Sequence, residues 1–376
     1  MASELELRSF VNRADNVAAL DAHYKRALER ILNELSVGLS RPGASRARDT
    51  LATIRDLIVD LDPNRAGFVR NWIRREIPKA FVLGDRSATR QLREELEKVA
   101  AGTRQAFGDP NRAFTAVNQT AMKGITAAME ATLGRAAQDM YGFIGTVVRR
   151  TQVTLLQSEK IREATVAGII RGSTGQQVSD DIASILLQKK VSPEVRQRLG
   201  EFGFRGDLFR DFEAIARGEM ITVGARRFSV RSYANLVART QSREGHKVGT
   251  IVRLQQNQVN HVRVSQHAQD ERDECTPFAG KVFYIGPLPQ DPLGFPKLSS
   301  ILNGGPPFHP NCKHVLEPYV VEFKSPGAVE ASLESSQALP RRFFGKGATE
   351  VRELVGELSD KQLQEIAAEG FSDLAA

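Results

Sequence analysis

Three side chains that bind soft metals fall within six positions of "GGPPFHPNCKH": His309, Cys312 and His314. The chain has two cysteines, and the other, Cys275, lies upstream in "DERDECTPFAGK". Thiolate sulfur and imidazole nitrogen are the usual ligands of a tetrahedral structural zinc. In an extended run, Cys312 and His314 share a face, and His309-x-x-Cys312 has the spacing of a zinc knuckle. With Cys275 ahead of a Gly/Pro-rich loop and the other three behind it, the expectation is a bound zinc held by Cys275, His309, Cys312 and His314. The upstream half supplies a single cysteine, so the last position stays open between His309, His267 and Asp273. The competing reading makes both cysteines small buried hydrophobes.

A zinc ion with an open position beside a carboxylate such as Asp273 or Glu274 would activate water against phosphodiesters. That makes a zinc-dependent nuclease the enzymatic alternative. The chain carries no P-loop, dinucleotide fingerprint, His-Glu-x-x-His or Gly-x-Ser-x-Gly motif. No catalytic residue is expected, and the favoured reading is not an enzyme.

The elements that must hold these residues are mostly helical. Apolar residues recur at three- and four-residue steps through Leu20, Tyr24, Leu28, Ile31 and Leu35. A helix is expected from about Ala66, with Phe68, Trp72 and Ile77 inward and a kink or break at Pro78. Another should follow, capped by Asp85 or Ser87. From Asn111 to about Gln157 the rhythm of Met122, Ile125, Met129, Leu133, Met140, Ile144 and Val147 predicts one long spine helix, too long for an ordinary globular element. A hairpin is expected over Met220–Val230, then a helix through "SYANLVARTQSREGHKVG". "HVRVSQH", "GKVFYIG" and "KHVLEPYVV" read as strands of a β-rich module too small to bury much apolar area without a staple. Ser325–Pro340 reads as a linker and Ala348–Ala376 as an acidic helix.

The fold class is therefore α+β, mostly α. An elongated helical N-terminal body with a spine helix precedes a small β-rich, zinc-stapled module and a short helical tail. The expected divisions are 1–110, 111–259, 260–323 and 324–376. No apolar run reaches the roughly 18 residues of a membrane helix. No secretory h-region opens the sequence, so synthesis in a cytoplasm is expected.

The net charge is +7, and it is unevenly spread. Between Arg217 and Arg263 stand nine basic residues against the acids Glu219 and Glu244, whereas the tail after Thr349 is acidic. Within this belt Arg226, Arg227, Arg231, Arg239, Arg243 and Lys247 are candidates for non-specific contact with DNA phosphates. The alternative is a solvated face paired with the acidic tail.

Five stretches occur in the order "SYANLVARTQSREGHKVG", "HVRVSQH", "CTPFAGKVFYIG", "FPKLSSIL" and "PPFHPNCKHVLEPYV". Together they resemble the head-morphogenesis family of tailed-phage minor head proteins, the Mu F-like and minor capsid proteins. The resemblance covers roughly Arg162–Val321. It departs at Gln241, Lys313 and His314, and at Arg272, where a paired first cysteine is common. It implies a virion component of the head, associated with the portal protein and other head proteins near the portal vertex. Such a protein is present in few copies, contacts packaged double-stranded DNA non-specifically and acts in head assembly or DNA packaging and delivery.

Overall fold

The computed structural model describes residues 14–39, 44–65, 67–98, 116–165, 175–188, 192–201, 203–223, 226–266, 275–308 and 312–344. The described chain is mostly helical with a small sheet, an α+β fold dominated by α. Among the described residues no helix is long and apolar enough to cross a membrane. Two compact units are formed, one from Ala14–Trp72 with Glu130–Val237, the other from the described parts of Ile73–Met129 and Ala238–Ala376.

In the first, helical unit, α1 (Ala14–Leu39) packs on α2 (Ala44–Val59) and on α5 (Gly175–Gln188). The expected apolar stripe of α1 is buried as Leu20, Tyr24, Ile31 and Leu35. α6 (Pro193–Glu201) and α7 (Gly206–Arg217) pack on α5. The hairpin pairs β1 (Ile221–Val223) with β2 (Arg226–Phe228), antiparallel, with Thr222 opposite Arg227. The spine is present as α4 (Ala116–Thr165), 50 residues long. Leu133, Met140, Ile144 and Val147 are buried along the part of it that belongs to this unit, and Ile125 and Met129 along the part that belongs to the other, as their spacing requires.

In the second, sheet unit, α3 (Phe68–Glu97) continues through Pro78 without a break, correcting the expected pair of helices. A proline in a helix interior costs about 3 kcal/mol. Here the turns around it are fixed by burial of Ile77, Ala80 and Phe81, with no exposed surface on any of the three. α8 (Val230–Gln256) follows the hairpin and leads into a three-stranded antiparallel sheet in the order β4-β3-β5. Its strands are β3 (His261–Val264), β4 (Val282–Tyr284) and β5 (Leu316–Pro318). Val262 sits opposite Phe283 on one side and Pro318 on the other.

The expected linker is a helix, α9 (Pro326–Gln337), packed on β4. Ser325 caps it by accepting from the Ala328 amide, and Pro326 takes the first turn, where its missing N–H costs nothing. Ser336 of α9 also accepts from the Val282 amide at 2.9 Å. The acidic tail lies outside the described residues.

Candidate functional site: the loops that close the small sheet

The sheet does not stand alone. Its core joins Val262, Val264, Phe278, Phe283, Leu298, Ile301 and Leu316 to Ala88, Leu92 and Leu96 of α3 and Leu254 of α8. The premise that the β module must be stapled is therefore altered, because two helices supply the apolar area that the strands lack. Phe278 and Phe308 stack with ring centroids 4.1 Å apart, joining the loop after β3 to the loop before β5.

α3 and α8 meet backbone to backbone. A Cβ at Gly84 would stand 2.0 Å from the His246 carbonyl oxygen, and one at Gly249 would stand 2.2 Å from that of Phe81. Only glycine permits this approach. The crossing buries polar groups, which then need partners. Arg253 grips Asp85 with two bonds of 2.8 Å, so Asp85 is an ion-pair partner inside α3 and not a helix cap. His246 is fully enclosed, its Nε2 has no hydrogen-bond partner among the described residues, and burial pushes its pKa down to about 4.

Cys275 and Cys312 are both buried inside the apolar core and form no disulfide. His314 is buried too, and its Nδ1 lies 2.6 Å from the Ser265 carbonyl oxygen, to which it donates. Ser265 Oγ accepts from the Val315 amide at 3.0 Å. The "HVRVSQH" and "HPNCKH" stretches are thus clasped side by side. His309 lies outside the described residues, as do His267, Asp273 and Glu274. Among the described residues no group of three or more His, Cys, Asp and Glu side chains could hold a metal ion. Cys275, Cys312 and His314 therefore do not form a zinc-ready cluster by themselves.

The basic belt is spread over several surroundings. Arg227 pairs with Asp211 at 3.2 Å and lies over the Phe143 ring. Arg231 holds Asp21 with bonds of 3.0 and 2.5 Å, and this guanidinium keeps the Asp21 carboxyl below its ordinary pKa. Arg226 lies on β2 opposite Val223. Lys247 is buried, with Nζ 2.8 Å from Glu244 and donating to the Asn303 carbonyl at 3.1 Å. Asn303 in turn donates to the carbonyls of Pro307 and Phe308, so Lys247 anchors the loop that leads into "HPNCKH". Arg243 is partly buried, which disfavours its charge, and sits within electrostatic reach of Cys312 and Arg239. Arg239 is exposed.

One pair had no sequence signal. His261 of β3 and Asp291, in the loop after β4, bring Nε2 and Oδ2 to 3.1 Å, although they stand 30 positions apart in the sequence. His261 Nε2 makes no hydrogen bond among the described residues. Asp291 also accepts from the Phe295 amide at 2.9 Å, which folds the Pro-rich loop back onto the sheet. Spacing could not announce this pair, because the loop between its members has no regular period.

Comparison with known proteins gives no matching family model, no similar curated protein and no similar solved structure.

Proposed function

We propose that the chain is a non-enzymatic structural component of a tailed-phage head, associated with the portal vertex and acting in head assembly or DNA packaging and delivery. The observation that carries this reading is the clasp between Ser265 and His314, 49 residues apart. Four of the five stretches that resemble the minor head proteins come from separate parts of the sequence and share one apolar core. Among the described residues, their chemically versatile side chains serve that closure. Cys275 and Cys312 pack, His314 bonds to backbone and Lys247 ties down a loop. A hydrolytic site would instead present such groups to a cleft.

On this reading the partners are the portal protein and other head proteins, and the 50-residue α4 is the docking element. DNA contact, where it occurs, is non-specific and made by exposed guanidinium groups such as Arg239. The test is to purify particles from a lysate of the encoding phage and count this chain by quantitative mass spectrometry. A few copies in every particle support the reading. A chain found only in the soluble fraction, with metal-dependent nuclease activity, favours the enzymatic alternative.

A further inference from the structure

α3 gathers its cations on one face. Arg75, Lys79, Arg86, Arg90 and Arg93 follow one another at steps of four, seven, four and three residues. At 3.6 residues per turn these positions fall within roughly 60° of one another, along about 27 Å of helix. Arg75, Lys79, Arg86 and Arg93 are exposed and Arg90 is half-buried. The acids between Arg75 and Arg93 are Glu76 and Asp85, and both are buried. Asp85 is already held by Arg253. Glu76 is shared, because one of its oxygens accepts from Arg75 at 2.6 Å and from Lys79 at 3.0 Å. Arg86 and Arg93 form no ion pair among the described residues. The stripe therefore keeps an excess of positive charge.

Such crowding is costly, since like charges three or four apart on a helix repel by a few tenths of a kcal/mol. A solvated helix face usually alternates its signs and avoids this. A face that collects cations and excludes acids over about five turns is matched to an anion that repeats along a line.

What the face lacks narrows that anion. Its other side chains between Arg75 and Arg93, Val82 and Leu83, are half-buried. With no aromatic or exposed apolar side chain it lacks the desolvated centre of a protein interface. It lacks for the same reason the apolar side with which a helix enters a lipid surface. Without rings it has no platform for the stacked bases of a single strand. A duplex backbone needs neither, because its phosphates are neutralised by cations alone.

We infer that this face of α3 is a binding surface for the phosphate backbone of duplex DNA, spanning about eight base pairs. The inference deepens the DNA contact in the function proposed above and rests on that reading for DNA over duplex RNA. Failure of that reading would show in the particle count, and failure of this surface in a titration of the purified chain.

The test is fluorescence anisotropy of a labelled duplex of about 20 base pairs, titrated with the full chain over a series of salt concentrations. Arg75 and Lys79 count as one net charge with their shared acid. The slope of log affinity on log salt should then be about −3 to −4. Arg86→Gln with Arg93→Gln should reduce its magnitude by about 2 and weaken binding at low salt by at least about tenfold. Arg26→Gln with Arg30→Gln, an equal loss of exposed charge on α1, should leave the slope in place. An unrelated duplex sequence should bind within about twofold. Polyglutamate, less densely charged than DNA, should displace the label at least about tenfold less well than unlabelled duplex. Absence of binding, a slope untouched by the α3 substitutions, an equal fall from the α1 substitutions or a larger sequence preference would each overturn the assignment. Polyglutamate as effective as duplex would overturn it in favour of an acidic protein.

Discussion

The α-carbon of Gly84 lies so close to the His246 carbonyl that a methyl group there would sit 2.0 Å from the oxygen. The obstacle is backbone, which cannot swing aside as a side-chain end would. Gly84→Ala should therefore destabilise the sheet unit by about 3 kcal/mol or more, read from urea unfolding. Gly142, in α4 with nothing within 4 Å of the added atom, is the control. There Ala should stabilise by about 0.5–1 kcal/mol through helix propensity.

His246 gives the fold a dependence on pH. Its pKa falls to about 4 in the folded chain because burial disfavours the charged ring. The unfolded chain takes up the same proton near pH 6.5, so it binds more protons than the folded chain between these values. Stability attributable to this residue is thus complete above about pH 6.5 and declines toward pH 4, by at most about 3 kcal/mol. His246→Gln should flatten the stability profile in that window. A profile unchanged by the substitution would mean that another group titrates there.

The Arg253–Asp85 pair is buried on both sides, with side-chain exposures of 5% and 9%. Removing one partner strands the other charge. Asp85→Asn or Arg253→Met alone should cost about 3–5 kcal/mol, whereas Asp85→Leu with Arg253→Met should cost far less than the sum. A double-mutant cycle measures the difference.

For the two cysteines, the core packing makes a forecast opposite to that of a metal staple. Cys312→Ala should cost about 1–2 kcal/mol, as the loss of a small buried hydrophobe. Chelation with EDTA or a stronger zinc ligand should leave the melting temperature of the unaltered chain in place. A fall of several degrees on chelation, reversed by zinc, would restore the clamp of Cys275, His309, Cys312 and His314.

What could be read from the sequence was local. The α1 stripe from Leu20 to Leu35, the spine, the hairpin and the three strands each follow a short period or a turn signal, and each is present in the structure. α9 stands where the sequence reads as a linker, although Ser325 and Pro326 form a regular helix start. The helix through Pro78 was missed because burial of its neighbours outweighed a local breaker.

The belt shows the other limit. Charge density along the chain located the arginines, but not their partners. Arg231 and Asp21 are 210 residues apart, and Arg253 and Asp85 are 168 apart. The folded chain decides which cations are neutralised. The cysteines were likewise noticed for their type. Their surroundings, not their spacing, place them in an apolar core.

The most direct test of the proposal that this chain is a phage head component is to count it in particles purified by density gradient from a lysate of the phage that, on that proposal, encodes it. The account predicts a fixed small number of copies in every head and empty or unassembled heads when the gene is deleted. Particles that lack the chain, yet form and fill normally without its gene, would contradict it.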